Sequence, residues 1–424
     1  GRVCNPSKDP LPPKKRSAGQ PCALCWGMRN AQDAEVIVIG GGPAGATTAA
    51  LLAEKGRRVI LLEKSKFPRY HVGESLMPFC WYTLDRLGVL QDIENIGFVQ
   101  KHSVQFVTED GRQSKPFYFF QHHDHPSSTT WQVLRSQFDK LILDKAKENG
   151  VEVRELTTVK SLVEEDGACV GVIAQPEGMD AVELRAPMVV DASGRDALSQ
   201  TKRRIRKRDP QLNKVAIWTY FRGAKRDPGL DAGATTVAYL PGKGWFWYIP
   251  LQDDIVSVGI VAERDYLYRD GRDPADIFER EIGNNVWITE HLAGAEQFGR
   301  YWTTGEYSYR AEVCAGDGLL LVGDAFAFLD PVFSSGVFLA LKSGEMAADA
   351  VDAALAAGDV RAGQFQDYGE RLCQGIEAMR ALVYAFYDEG FSFADLIKRF
   401  PEQRGDLTDC LIGDVFRDFD SLFE

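Results

Sequence analysis

No uninterrupted apolar run of membrane-spanning length occurs in this chain of 424 residues, and the best stretch, Leu319 to Leu329, is broken by Asp324. A helical span is thereby excluded, and a soluble, cytoplasmic protein is expected. Positive charge is in deficit, with 49 Lys and Arg against 61 Asp and Glu for a net charge of −12, which argues against a nucleic-acid partner. Cysteine is sparse and without a framework: Cys4, Cys22, Cys25, Cys80, Cys169, Cys314, Cys373 and Cys410 fit a reducing compartment rather than a disulfide scaffold. Cys22 and Cys25 have redox or metal-site spacing, but no second pair follows and no thioredoxin-like unit surrounds them. Half of the six histidines fall in His122-His123-Asp124-His125. Adjacent side chains seldom converge on one ion, so this reads as a polar loop, and no metal is assigned. Internal repeats and sustained heptads are also missing.

What is there begins after a leader. Residues 1–33, rich in Pro and Lys up to Arg16, read as a disordered extension; with Met28 just before the first strand, deletion of the residues preceding it is expected to leave activity intact. From Glu35 the pattern is a βαβ unit: the apolar strand Val36 to Ile39, the turn Gly40-Gly41-Gly42-Pro43-Ala44-Gly45, a helix to Lys55 ended by Gly56, and a second strand, Val59 to Leu62. Gly40 suits a tight turn, Gly42 lets backbone approach a pyrophosphate, and Gly45 allows close helix-to-strand contact; Pro43 and Ala44 open the helix whose N-terminus faces the anion. Glu63, followed by Lys64, ends the second strand, where a carboxylate can accept hydrogen bonds from both ribose hydroxyls. The unit serves NAD and FAD alike. No second Gly-rich βαβ unit is present.

A different kind of signal lies in Trp245-Phe246-Trp247-Tyr248-Ile249-Pro250. As a strand, it puts Trp245, Trp247 and Ile249 on one face and Phe246, Tyr248 and Pro250 on the other. Two indoles side by side make a wall able to keep a reactive cofactor from an organic substrate. The hexapeptide resembles the Trp-x-Trp-x-Ile-Pro signature of the flavin-dependent halogenases. Further segments share the resemblance: Gly318 to Ala325, containing Gly323 and Asp324, is similar to the late flavin motif of aromatic-hydroxylase-like flavoproteins, and Val189 to Gly194, with Asp191, to their middle motif. Arg135 matches the position that approaches the FAD phosphates. Phe67 to Pro78 and Asp330-Pro331-Val332-Phe333-Ser334-Ser335-Gly336-Val337 are similar to runs of the phenol and pyrrole halogenases.

The resemblance implies FAD as cofactor, used as FADH2, and a halide as co-substrate. Reduced flavin and oxygen give a C4a-hydroperoxide, and halide attack yields hypohalous acid. Gly97-Phe98-Val99-Gln100-Lys101 resembles the place of the family's catalytic lysine, so Lys101 is the candidate, ahead of Lys115 and Lys243. Two routes stay open: an ammonium that polarises hypohalous acid by hydrogen bonding, or a free amine, its pKa lowered by burial, that forms a haloamine. Ser334, Ser335 and Gly336 would place N–H groups and hydroxyls around a halide at a helix start, with Gly336 and Val337 against the flavin. The acceptor is expected to be a phenol or pyrrole, free or tethered to a carrier protein, and a separate reductase is expected to supply reduced flavin. A monooxygenase or prenyl reductase on the same scaffold is the alternative, disfavoured by the wall; a flavin-binding redox sensor ranks last.

The fold class expected is α/β: a Rossmann-like FAD domain from residues 34–103, 134–212 and 302–344, an antiparallel-sheet substrate domain from 104–133 and 213–301, and a helical region, 345–424. In that last region Phe386, Tyr387, Phe391, Phe393 and Phe400 are candidates to cap the acceptor cavity.

Overall fold

The computed structural model describes residues 32–240, 242, 244–305, 308–388, 396, 398–419 and 422. Most of the leader, with Cys22, Cys25 and Met28, lies outside the described residues, as do Lys243, Phe391 and Phe393.

Val36–Ile39 and Val59–Leu62 are buried at every position, as strands covered on both faces must be. They lie in a six-stranded sheet ordered Ala315–Gly316, Leu319–Leu321, Met188–Asp191, Val36–Ile39, Val59–Leu62, Glu152–Arg154, parallel throughout except at the Ala315–Gly316 edge. The helix Pro43–Glu54 packs against both Arg135–Glu148 and Ser335–Ala357, and an antiparallel meander of Thr157–Glu165, Ala168–Pro176 and Val182–Arg185 packs against Val59–Leu62 and Met188–Asp191. The helix Ser335–Ala357 starts at the serine run, as expected, and continues through the boundary at 344 given to the helical region. Gly344 is not a break: a Cβ there would sit 2.5 Å from the Ala44 carbonyl oxygen, so the missing side chain is what lets two helices touch.

The second sheet has seven strands, ordered Glu296–Gly305, Lys214–Arg222, Ile255–Glu263, Trp245–Pro250, Thr235–Tyr239, Ser103–Val107, Phe117–Tyr118. It is not wholly antiparallel, because Thr235–Tyr239 pairs parallel with Ser103–Val107. A parallel neighbour needs a long crossover, and here the chain makes it by passing through the six-stranded sheet. Ser103 already belongs to this sheet, and Glu296–Gly305 runs past the expected limit at 301. Alternation along Trp245–Pro250 divides two cores. Trp245, Trp247 and Ile249 join the core that contains the six-stranded sheet. Phe246 and Tyr248 pack on the other side, against Phe278 and Trp287 of the helices Pro274–Ile282 and Val286–Leu292. Helices Gln366–Tyr387 and Arg404–Ile412 follow. Among the described residues no helix is long and apolar enough to cross a membrane.

Candidate active site

A cavity of about 490 Å³ opens between the two sheets, lined by Gly40, Gly42, Pro43, Ala44, Glu63 and Lys64 at one end and by Trp245, Trp247, Ile249, Asp324, Ser334, Gly336 and Val337 at the other. Gly40 has φ +101°, and a Cβ on it would lie 2.4 Å from the Ala192 carbonyl oxygen; one on Gly45 would lie 2.1 Å from the Gly40 oxygen. Protein contacts therefore demand both glycines. Gly42 differs: its nearest neighbour would be the Arg69 guanidinium at 3.5 Å, so its bare backbone keeps room for a ligand. The helix Pro43–Glu54 starts there without a side-chain cap, leaving N–H groups for an anion. Glu63 is buried and held by the N–H groups of Gly41 (2.7 Å) and Ser65 (2.8 Å), one on each oxygen. Each oxygen keeps a lone pair for a sugar hydroxyl. Lys64 pairs with Asp196 near the rim.

Arg135 lines the cavity but is largely committed inside the protein: Nε and one Nη bind Asp139 at 2.7 and 2.9 Å, and the other Nη binds the carbonyls of Val72 (2.7 Å) and Gly73 (3.3 Å). Asp139 also receives Arg69 at 3.0 Å, so a buried carboxylate holds two guanidiniums at the cavity wall. Asp191 does not line the cavity. Its carboxylate accepts the N–H groups of Ser193 (3.0 Å) and Ser199 (2.8 Å) and so shapes the turn whose residues do. Gly323, with φ +55°, is likewise a turn residue, its N–H donating to Ser343 Oγ at 2.9 Å. Asp324 faces the cavity, and its carboxyl makes no hydrogen bond among the described residues; burial pushes its pKa up to about 6. An unpartnered, half-buried carboxyl beside a long polar cradle fits the ribityl hydroxyls of FAD.

At the far end Ser334 takes the left-handed conformation (φ +59°) and the helix Ser335–Ala357 begins with no side-chain cap. Ser334 and Gly336 line the cavity; a Cβ on Gly336 would meet nothing within 4 Å. Ser335 is 1% exposed and does not line the cavity, because the helical phase turns its side chain inward. Any anion there is met by backbone N–H groups and Ser334 rather than by the Ser335 hydroxyl.

The indoles of Trp245 and Trp247 stand with centroids 6.2 Å apart. Trp245 Nε1 donates to the Tyr387 hydroxyl (2.8 Å), which donates to Asp330 Oδ2 (2.9 Å), while Asp330 Oδ1 accepts Val332 N–H (3.1 Å). Burial pushes the Asp330 carboxyl up to about 6. Trp247 Nε1 donates to Ser257 Oγ at 3.1 Å, and its ring lies flat on Gly259, where a Cβ would come within 2.1 Å. Pro250 is buried at the end of the strand. Phe386 meets Trp245, Tyr239 and Phe333, whereas Phe400 is exposed.

Lys101 is 2% exposed and sits at the end of the short strand Val99–Lys101. Its Nζ donates to Ser75 Oγ (2.9 Å) and the Leu76 carbonyl (3.0 Å) and lies 5.6 Å from the centre of the Phe119 ring. Ser75 in turn shares a 2.8 Å hydrogen bond with Thr235. Ser75 and Thr235 line the cavity and Lys101 does not, so the lysine stands one layer behind the wall. Burial lowers its pKa from 10.5 to about 7. Lys115 is exposed. His122 stacks on Phe117 and His125 on Tyr82, and among the described residues no group of three or more His, Cys, Asp or Glu is placed to hold a metal ion. Sequence reasoning gave no role to Glu74, Ser75, Thr235 or Gly259, and Tyr387 was a candidate cap rather than a partner of Trp245; Glu74 and Ser75 lay inside the segment singled out before Pro78.

Residues 33–359 match the family model described as an FAD binding domain. A 1H-pyrrole-2-carbonyl-[peptidyl-carrier protein] brominase of Pseudoalteromonas luteoviolacea is 35% identical over 328 residues, 77% of this chain and 79% of that protein. A 1H-pyrrole-2-carbonyl-[peptidyl-carrier protein] chlorinase of Pseudomonas fluorescens is 30% identical over 405 residues, 91% of this chain and 90% of the relative. Among solved structures, the flavin-dependent brominase Bmp2 superposes with a TM-score of 0.82 at 29% identity, covering 91% of this chain and 94% of that one. The chain belongs to the flavin-dependent halogenases. It is an FAD enzyme that uses halide to halogenate an aromatic substrate.

Proposed function

We propose that the acceptor is a pyrrole carried as a thioester on a carrier protein, that a separate reductase delivers the reduced flavin, and that Lys101 receives the oxidant beyond the tryptophan wall. Bound FAD, once reduced, supplies with oxygen the oxidising power that turns halide into hypohalous acid. The protein's own residues do the rest. Gly42, Glu63, Arg135 and Asp324 hold the cofactor along the cradle, and Ser334 with the N–H groups at Gly336 and Val337 holds the halide. Trp245, Trp247 and Ile249 bar an aromatic ring while a small neutral oxidant passes. The observation that carries this reading is Lys101 itself: a lysine with no carboxylate partner among the described residues, buried against Ser75 and Leu76, on the far side of residues that line the flavin cavity. A pKa near 7 supports both forms of the nitrogen, the ammonium that hydrogen-bonds hypohalous acid and the amine that accepts the halogen.

The test offers purified protein, FAD, a flavin reductase, oxygen and either bromide or chloride to a pyrrole-2-carbonyl carrier protein and to free phenols, with products read by mass spectrometry. Halogen on the tethered pyrrole well ahead of the phenols is expected. Equal turnover of free phenols removes the carrier reading, and full activity in Lys101→Ala removes the lysine.

A further inference from the structure

Converting FADH2, O2 and X⁻ into FAD, HOX and H2O consumes one H⁺ from outside the reactants, whereas wasteful release of hydrogen peroxide, FADH2 + O2 → FAD + H2O2, consumes none. A cavity walled by indoles therefore needs a route for one proton per turnover. A hydrogen-bonded chain of three side chains leads from this cavity to an exposed ring. Glu74 is 2% exposed, lines the cavity, and accepts a hydrogen bond of 2.6 Å from the Tyr220 hydroxyl on its Oε1. The hydroxyls of Tyr220 and Tyr70 are 3.0 Å apart, and Tyr70 is 41% exposed. Trp218 Nε1 donates to the Tyr70 oxygen at 2.6 Å, and the Tyr70 ring is stacked on Trp302 with centroids 4.3 Å apart, so the outermost hydroxyl is fixed although its ring meets solvent.

We propose that Tyr70, Tyr220 and Glu74 form a relay that carries a proton from solvent to the halide-oxidising cavity. Water gives a proton to Tyr70 oxygen as Tyr70 passes its own to Tyr220, and Tyr220 passes its own to the Glu74 carboxylate; each phenol ends neutral. Glu74 then donates into the cavity and returns to the carboxylate. The surroundings suit this cycle. Burial raises the Glu74 pKa, while Arg135 from the helix Arg135–Glu148, the Tyr220 hydroxyl and the Gly73 N–H (3.3 Å) keep the charged form within reach. Both phenols are held well above physiological pH, Tyr70 at about 12 and Tyr220 higher, which keeps them as O–H carriers rather than phenolates. Tyr220 occupies Oε1, so Oε2, which takes the long Gly73 contact, is the oxygen assigned to donate onward.

The inference rests on halide oxidation in this cavity but not on Lys101 or on a tethered acceptor, so its test uses neither. Holoenzyme with prereduced flavin is mixed with oxygen and bromide, and hypohalous acid, captured by a small diketone, is measured against hydrogen peroxide across pH. Removing one hydroxyl, in Tyr220→Phe or Tyr70→Phe, is expected to cut the hypohalous share roughly tenfold or more at alkaline pH, to spare it at acid pH, and to be partly reversed by a small added acid such as imidazolium. A second readout needs no flavin: the protonated-carboxyl infrared band that Glu74→Gln abolishes should titrate above the ordinary carboxylate range, and its exchange with heavy water should slow in Tyr220→Phe. The same product ratio at every pH in both phenylalanine variants, or a Glu74 band that exchanges at the wild-type rate in Tyr220→Phe, would overturn the relay.

Discussion

Replacing Lys101 by Met should abolish halogenation and yet make the protein more stable at neutral pH. Holding the Lys101 pKa at about 7 instead of 10.5 corresponds to ~4–5 kcal/mol of folding free energy forgone at pH 7. Met fills a similar volume without a charge to desolvate. Against this, the Leu76 carbonyl loses its donor while Ser75 Oγ keeps its bond to Thr235, together a cost of about 2 kcal/mol. The net expectation is a gain of about 2–3 kcal/mol at pH 7. The sign reverses with pH. Between about 7 and 10.5 the unfolded chain binds a proton that the folded chain lacks, so wild-type stability rises with pH; below that window both states are protonated and the penalty is constant. By about pH 10 the variant should have lost its advantage and fallen slightly behind. Urea unfolding of wild type and Lys101→Met at both pH values checks this, since titrations common to the two proteins cancel in the difference. A stability difference that is the same at neutral and alkaline pH would refute the burial argument, whatever happens to activity.

Three further outcomes are expected. Gly259→Ala forces a Cβ into the Trp247 ring and should cost about 1–3 kcal/mol while raising the share of hypohalous acid that escapes to a small trap in the presence of saturating acceptor, with flavin reoxidation unchanged. Gly336→Ala meets no protein atom and should raise helix stability by up to ~1 kcal/mol, but isothermal titration should show flavin or halide binding weakened about tenfold, since the added methyl enters the cavity. Asp324→Asn should weaken FAD binding yet stabilise the flavin-free protein by about 1–3 kcal/mol above pH 6. The wild-type carboxyl, pushed up to about 6, holds a proton in the folded state that the unfolded state has released, so wild-type stability falls as pH climbs from about 4 to 6. Thermal melts on both sides of that window check it.

The parts of this molecule written in local pattern were legible. Val36–Ile39 and Val59–Leu62 are continuous apolar runs because both their faces are covered, and the alternation of Trp245–Pro250 assigned the indoles to the cavity side. Glycine was the ambiguous letter: Gly344 marks the edge of the expected helical region, but in the fold it is a point of contact between helices, and nothing near it in sequence announces Ala44. The parallel pairing of Thr235–Tyr239 with Ser103–Val107 was hidden for a similar reason, since an alternating strand looks the same whichever way its neighbour runs. Side-chain destinations were the least legible. Ser335 and Asp191 sit within flavin-family motifs, yet helical phase sends one inward and a turn consumes the other. The burial of Lys101 depends on Ser75 and Leu76, which tertiary packing alone brings to it, and Glu74 becomes chemically interesting only once Tyr220 arrives from the second sheet.

Asp330 joins three territories with two oxygens: through Tyr387 it reaches the end of the helix Gln366–Tyr387 and the Trp245 indole, and through Val332 it fixes the loop that turns into Ser334. The end of that helix is thereby tied to the anion turn and to the indole barrier through one carboxylate. A substitution that loosens any one of these bonds is therefore expected to disturb the indole barrier and the anion turn at once, not one without the other.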